Sequence, residues 1–364
     1  MQVERLRVRD FRSYEAAEAH LGEGLTVVHG ANGAGKTNLL EALYFGCTAR
    51  SFRTANEREL VRFGAGATRV VVDASDDDGR HELAVGFSPG EPKRLSLDGA
   101  PLERLLDAPQ RPLVSVFSPD RLELIKGVPQ LRRAHLDQLV AALWPTRAAI
   151  RRGYGEALAQ RNALLTRIRG GRADTTGLRP WDLELARLGV ELSSNRARAC
   201  ALVAERFASH ATALGLGGLV RLSYRARSSA STPEQLAEEI AAALPGDLAR
   251  GYTTHGPHRD DLAMRRDGRD LRTYGSQGEQ RLVLLALLLA ERDALAAERS
   301  RPPLMLLDDV MSELDSERRG RLVETLASYG QSVVTTTELE HVPGAETAGV
   351  ERIAVADLTR SAAR

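Results

Sequence analysis

The sequence predicts an α/β fold with a mixed sheet, interrupted by an inserted helical hairpin, across 364 residues. Gly30-Ala31-Asn32-Gly33-Ala34-Gly35-Lys36-Thr37 matches G-x-x-x-x-G-K-[ST] between an apolar run, Leu25 to Val28, and a helical run from Asn38 to Phe45. Short β-branched runs separated by turn residues follow it, which is an antiparallel signature. From Pro129 to Leu214 the apolar spacing changes to steps of three and four, and near residue 247 the α/β character returns. The expected division is a discontinuous head, 1–125 and 247–364, with a helical arm at 126–246.

The glycine-rich stretch carries chemistry. Its three glycines let the backbone bend until successive N–H groups converge on one anion, and a helix N-terminus behind them adds a favourable dipole. Gly30, Ala31, Asn32, Gly33, Ala34, Gly35, Lys36, Thr37 and Asn38 are the expected nucleotide contacts. Lys36 is placed to reach the β/γ-phosphates and the Thr37 hydroxyl to bind Mg²⁺, which makes ATP and Mg²⁺ the expected cofactors.

Composition narrows the class. Hydrophobic content of 43%, charge of 27% and a net charge of +1 are those of a soluble globular chain. Cys47 and Cys200 lie far apart, show no metal-ligand spacing and fit a reducing compartment. Met1 to Arg5 lacks a signal-peptide core, and the longest apolar run, Leu282 to Ala290, is nine residues, too short to cross a bilayer. A cytoplasmic protein without membrane attachment is expected.

Taken in order, residues 3–9 read as a strand ending at Asp10-Phe11-Arg12-Ser13-Tyr14. Residues 69–73 and 81–85 form a hairpin around the turn residues 75–79. Residues 95–99 and 113–117 are further strands, the latter stopping at Ser118-Pro119. In the arm, 150–168 and 181–203 read as helices about 30–45 Å long, joined by a loop at 170–180, with Arg161 breaking the apolar pattern. Residues 126–210 hold 15 Lys+Arg against 7 Asp+Glu, a net +8 that leaves −7 for the rest. Such asymmetry points to a nucleic-acid surface. Sparse aromatics argue against base stacking, so duplex phosphates are the expected target, with Arg151, Arg152, Arg167 and Arg169 as candidate contacts.

Beyond the arm, His255-Gly256-Pro257-His258-Arg259-Asp260-Asp261 reads as a phosphate-contacting or interface loop rather than a metal site. Asp267-Gly268 marks a hairpin turn. Ser276-Gln277-Gly278-Glu279-Gln280 opens the most apolar helix, with Ser276 and Glu279 at capping-box spacing. Four apolar residues, Leu304 to Leu307, then deliver Asp308 and Asp309 at a strand's C-terminal end, where α/β sheets bind ligands. Asp308 is the expected second Mg²⁺ contact and Asp309 the residue that orients or deprotonates the attacking water. Ser312-Glu313-Leu314-Asp315 leads into a helix at Ser316, and 332–337 and 352–355 complete the sheet.

The ordered set of phosphate loop, Ser-x-Gly-x-Gln, Asp-Asp strand end and Ser-Glu-Leu-Asp resembles the ABC-type ATPase head, in the branch of structural-maintenance-of-chromosomes and Rad50 proteins. With Phe117-Ser118-Pro119-Asp120, Gly256 to Asp261 and Asp308-Asp309-Val310, nearly the whole chain resembles the RecF family of bacterial recombination mediators. The resemblance implies an ATPase that dimerises with ATP on duplex DNA near single-strand gaps and assists RecA loading with RecR and RecO. It implies that Arg12 reaches the nucleotide and that Lys36 and Asp309 are catalytic. It also implies that Ser276, Gln277, Gly278 and Gln280 complete a second subunit's site, with Ser312 and Asp315 in the loop between subunits. Asp309 stands where such heads carry Glu, and the Thr335–Thr337 run stands where they carry a switch histidine. The rival readings are a transporter's ATPase subunit, another DNA-organising ATPase of this branch, a small-molecule kinase and a DNA-binding structural protein.

Overall fold

The computed structural model describes residues 1–105, 108 and 110–361. They pack as two compact units: Met1–Arg121 with Ala213–Gly215 and the chain from Leu295 onward, and Leu122–Thr212 with Leu216–Ala294. The expected boundary at 247 differs from this packing, because residues 247–294 group with the helical segment rather than with the phosphate loop.

The first unit is built on two sheets. Its strands in the first third of the chain are β1 (Gln2–Phe11), β2 (Tyr14–His20), β3 (Leu25–His29), β4 (Thr68–Asp76), β5 (Gly79–Phe87), β6 (Arg94–Leu97), β7 (Ala100–Leu102) and β8 (Val114–Phe117). Six of them form an antiparallel sheet in the order β2-β1-β4-β5-β6-β7. From Arg5 to Arg9 alternation in β1 is clean: Leu6 and Val8 are buried while Arg5, Arg7 and Arg9 take the other face. The hairpin expected at 69–85 is β4–β5, paired from Thr68↔Phe87 to Asp76↔Gly79.

After the second unit come β9 (Val220–Arg225), β10 (Asp261–Arg266) and β11 (Arg269–Asp270) within it, then β12 (Leu304–Leu307), β13 (Ser332–Thr336) and β14 (Glu351–Ala354). The second sheet of the first unit has the order β14-β3-β13-β12-β8, and every pair in it is parallel. Its inner strands β3 and β12 are short, mostly apolar buried runs, as a sheet covered on both faces requires, whereas the edge strand β14 starts with exposed Glu351 and Arg352. The helix Lys36–Thr48 lies against β4 and buries Leu39, Leu40, Leu43 and Phe45. Its Gly46 permits that approach, since a Cβ there would sit 2.5 Å from Val72 Cγ2. Gln331 ties the sheets together: its amide accepts from Val3 N at 2.9 Å and donates to Val3 O at 2.6 Å and Gly22 O at 2.7 Å.

In the second unit the helical hairpin is Ala148–Arg169 and Leu178–Ala213, 22 and 36 residues, or about 33 and 54 Å at 1.5 Å per residue. The second helix starts three residues before the expected 181, because Pro180 in a first turn loses no helical hydrogen bond. The segment 126–246 is not purely helical: β9 lies in it and pairs antiparallel with β10 from Val220↔Arg266 to Arg225↔Asp261. Between β10 and β11, Asp267 and Gly268 have φ of 49° and 78°, the two left-handed residues of a tight hairpin turn.

Arg161, the exception in the apolar pattern, is fully buried. It donates to Asp182 at 2.6 Å, Asp247 at 2.7 Å and Thr253 Oγ1 at 2.8 Å, and Asp247 is itself 0% exposed. Arg196 pairs with Asp137 at 2.7 Å and 3.0 Å, and Arg132 with Asp261 at 2.7 Å and 3.0 Å. Arginine in this segment therefore serves the interior as well as the surface. Arg161→Ala strands the Asp247 carboxylate in a dry site, and urea unfolding is expected to show a loss of about 3–5 kcal/mol. A loss below about 1 kcal/mol would show that water reaches Asp247.

Candidate nucleotide site

β3 ends at His29 and the chain turns through Gly30, Gly33 and Gly35, with φ of 155°, 77° and 114°, into the helix at Lys36. Gly35 is required twice over. Its φ is left-handed, and an added Cβ would lie 2.9 Å from the Tyr14 hydroxyl, which donates to Gly35 O at 3.0 Å. Lys36 Nζ donates to Gly30 O at 2.7 Å and Ala31 O at 3.0 Å, so its ammonium is held at the loop it is expected to serve.

β12 runs beside β13 and β8, and its C-terminal end carries Asp308. The Asp308 carboxylate accepts from Thr37 Oγ1 at 2.9 Å and 3.0 Å and from Thr335 Oγ1 at 2.9 Å. Burial pushes its pKa above the usual carboxylate range, against the opposing pull of those two hydroxyls. Asp309 is exposed, with φ of 49°, a left-handed conformation that Asp tolerates better than longer side chains do. Its N–H donates to Thr335 Oγ1 at 2.8 Å, and its carbonyl accepts from Ser312 Oγ at 3.0 Å. Thr335 thus lies within β13, bracing the two aspartates rather than following the strand as a switch residue.

Arg12 lies at φ 51° with its Nε and Nη2 donating to the two oxygens of one carboxylate, Glu41, at 2.8 Å each, and its Nη1 3.6 Å from Glu59. Glu41 is 0% exposed and also accepts from Ser51 Oγ at 2.5 Å and Arg53 at 3.2 Å. Asn38 joins the same group, donating to Ser13 Oγ and accepting from Arg53, both at 2.9 Å. Sequence reasoning missed Glu41, Ser51 and Arg53, and it placed Thr335 only where related heads carry a switch histidine, not as a partner of Asp308. The available signal was Glu41 itself, the single acidic residue in the apolar stretch Asn38 to Cys47, followed by Arg50-Ser51-Phe52-Arg53. Ser118, just past β8, is also buried, its hydroxyl without a hydrogen-bond partner among the described residues.

In the second unit Ser276 and Glu279 form the expected capping box. Ser276 N donates to Glu279 at 2.8 Å, and Glu279 N donates to Ser276 Oγ at 3.3 Å. Ser276, Gln277 and Gly278 are exposed, whereas Gln280 is buried and donates to Leu271 O and Arg272 O at 3.1 and 3.3 Å. Gln280 therefore anchors the helix start. Asp315 caps the helix Ser316–Ala327, accepting from Arg318 N at 2.9 Å.

All four candidate arm arginines are exposed; Arg151 also pairs with Asp137 at 3.1 Å and Arg169 donates to Arg250 O at 2.9 Å. The His255–Asp261 stretch is absorbed by its own unit. His255 meets Glu239 at 2.6 Å, and Asp260 accepts from Tyr224 and from Arg227 N. His258 Nε2 lies 3.0 Å from the Thr253 carbonyl, which only accepts, so Nδ1 receives the Tyr154 hydroxyl at 2.8 Å. Burial lowers the His258 pKa to about 4, in keeping with a neutral ring.

Residues 2–83 match the model of the RecF/RecN/SMC N terminal domain. Over 349 residues the chain is 35% identical to the DNA replication and repair protein RecF of Halothermothrix orenii, covering 93% of this chain and 92% of that one. The chain belongs to the RecF family. The RecF protein of an Anaeromyxobacter species is 39% identical over 362 residues, covering 96% of each. Among solved structures, the recombination mediator protein RecF-ATP of the RecFOR pathway superposes with a TM-score of 0.83 at 28% identity, covering 93% of this chain and 92% of that one. An Smc head domain from Pyrococcus furiosus matches at 0.57 and 17% identity over 94% and 92%, which shows the fold alone. The fold is that of the RecF and SMC heads, an α/β ATPase-type head with an antiparallel sheet and helical segments. No helix among the described residues is long and apolar enough to cross a membrane.

The raised Asp308 pKa has a sign. A carboxyl whose folded pKa exceeds its unfolded one costs stability as pH rises through the interval between them. Asp308→Asn keeps a side chain that bonds hydroxyls and removes that charge. The nucleotide-free variant is expected to melt at a higher temperature than wild type at pH 7. The gain should vanish at pH 3. A lower midpoint at pH 7 would mean the ionised carboxylate is stabilised where it lies.

Proposed function

We propose that this chain is a DNA-dependent ATPase of recombinational repair, in which ATP closes two copies on duplex DNA near single-strand gaps and slow hydrolysis releases them. The observation that carries this reading is the hydrogen bond from the Thr37 hydroxyl to Asp308, within 3.0 Å of both carboxylate oxygens, which joins the phosphate loop to the acidic strand end. The donor set fits Mg²⁺: a hydroxyl and a carboxylate are hard oxygen ligands, and the carboxylate's side-chain partners here are two hydroxyls. Thr37 and Asp308 would hold the ion, which would neutralise charge on the β- and γ-phosphates when bound.

The other residues take roles by position. Lys36 leaves the Gly30 and Ala31 carbonyls for phosphate oxygens, and the loop N–H groups from Gly30 to Asn38 take the rest. Asp309, exposed and fixed in direction by its backbone bond to Thr335, orients or accepts a proton from the attacking water. Glu41 holds Arg12 and Arg53 at the edge of the loop, where a guanidinium released toward phosphate would stabilise charge. The Ser276 hydroxyl only accepts within its capping box, so its proton is free for a phosphate of a second copy. Membership of the RecF family and the RecFOR pathway named for the solved relatives support DNA, RecR and RecO as partners, in the cytoplasm. Arg151, Arg152, Arg167 and Arg169 remain candidates for duplex phosphates.

ATP turnover measured with and without gapped duplex tests the reading. Turnover is expected to be slow alone and to rise several-fold with gapped DNA. Absence of turnover under both conditions would leave a passive nucleotide-binding protein.

The shared site is tested by complementation. Ser276→Arg is expected to leave ATP binding by the monomer near wild type, and Lys36→Met to abolish it. Each alone should fail to hydrolyse ATP. Mixed, they form dimers with one intact composite site, so a quarter to a half of wild-type turnover should return. No recovery would place Ser276 in its own copy's site.

A further inference from the structure

The outward face of the antiparallel sheet divides into two halves by charge. On one half every arginine of β1 is paired. Arg5 meets Asp73 at 2.6 Å and Glu18 at 3.3 Å, and Arg7 meets Asp73 at 2.9 Å and Glu82 at 2.7 Å. On the other half the strand register sets a different row. Ala16 of β2 faces Arg9 of β1, Arg9 faces Arg69 of β4, Arg69 faces Gly86 of β5, and Gly86 faces Arg94 of β6.

Direct cross-strand partners lie on one face, so three arginines share a line with no carboxylate in it. Arg9, Arg69 and Arg94 are all exposed. Among the described residues only Arg94 has an acidic contact, Glu91 at 3.2 Å, and both of those side chains are more than half exposed, so the pair is worth little. Arg9 and Arg69 stand directly opposite each other, an arrangement that costs stability unless an anion lies over it. Gly86 has no side chain and leaves the surface between Arg69 and Arg94 low, and Ala16 does the same at the outer end beside Arg9. Three strand spacings of about 4.8 Å carry the row across roughly 14 Å, enough to touch phosphates on both sides of a groove about 12 Å wide.

We propose that the Arg9–Arg69–Arg94 row is a phosphate-backbone contact surface for duplex DNA. The inference rests on the duplex-binding reading above and adds a surface on the first unit, independent of the arm arginines. Contact with phosphate carries no base information, so this surface binds duplex regardless of sequence and loses affinity steeply with salt.

Duplex affinity across a salt series tests it, for wild type, Arg9→Ala/Arg69→Ala, and the length-preserving Arg9→Gln/Arg69→Gln. Both variants are expected to flatten the log–log salt slope by about 1.8, or 0.9 per lost phosphate contact. Their melting midpoints should equal or exceed wild type, since a like-charge pair is removed, and ATP binding should be unchanged. A control, Arg80→Ala/Arg187→Ala, removes the same charge from residues already paired with Glu4 and Glu184, and should leave the slope within about 0.5 of wild type. An unchanged slope in the row variants, or an equal loss in the control, overturns this surface and leaves the repair reading standing. A wild-type protein with no duplex affinity overturns both.

Discussion

One buried carboxylate organises the first unit. Asp308 sits at the end of a strand flanked on both sides by parallel neighbours, and hydroxyls from two other segments converge on it. An ionised group in that position is costly in the absence of a cation. The helix that begins at Lys36 must start where it does to supply Thr37, and β13 must run in its register to supply Thr335. The same Thr335 hydroxyl receives the N–H of Asp309 and so fixes the direction in which the second aspartate points. The loop, the acidic strand and the next strand are therefore coupled through a few hydrogen bonds around one negative charge. Stability spent on that charge is recovered as affinity for whatever neutralises it.

The second unit holds its charges differently. There guanidinium and carboxylate groups from distant parts of the chain meet in the interior, as with Arg161 and Asp247 or Arg132 and Asp261. Part of the arginine behind the +8 of residues 126–210 is thereby held in the interior, although residues 247–294 bring 8 Lys+Arg with their 8 Asp+Glu and leave the net charge unchanged. What remains for a polyanion is the exposed subset, of which Arg152 and Arg167 are members.

Legibility followed range along the chain. The phosphate loop, the capping box at Ser276 and the turn at Asp267-Gly268 are local patterns, and each forms as its residues imply. The parallel strands were readable because a strand buried on both faces must be uniformly apolar, as Leu304 to Leu307 are. Glu41 and Thr335 were not readable, because their meaning depends on residues brought to them by the fold: Arg12 from 29 positions away, Asp308 from 27. β9 was overlooked as well. Its six residues, Val-Arg-Leu-Ser-Tyr-Arg, do alternate apolar and polar, a local strand signal that was passed over, and their partner β10 comes only some 36 residues later. Gln280 shows the converse, a residue in a recognisable motif whose side chain serves its own neighbourhood.

The interior pair Arg161–Asp247 also constrains how this sequence can drift. Both side chains are shut off from water, so replacing Arg161 strands the Asp247 carboxylate, and replacing Asp247 leaves the guanidinium Asp182 as its one carboxylate partner among the described residues. An intermediate with one partner changed is penalised before the second change can repair it. Neutral wandering at these positions is therefore blocked, and exchange has to pass through a nearly simultaneous double step or through a stabilised background. Asp182 and Thr253 share the same guanidinium, which widens the blocked set to four positions spread over three segments of the chain. A region that looks freely variable by its surface arginines is thus held, from inside, to a narrow corridor of descent.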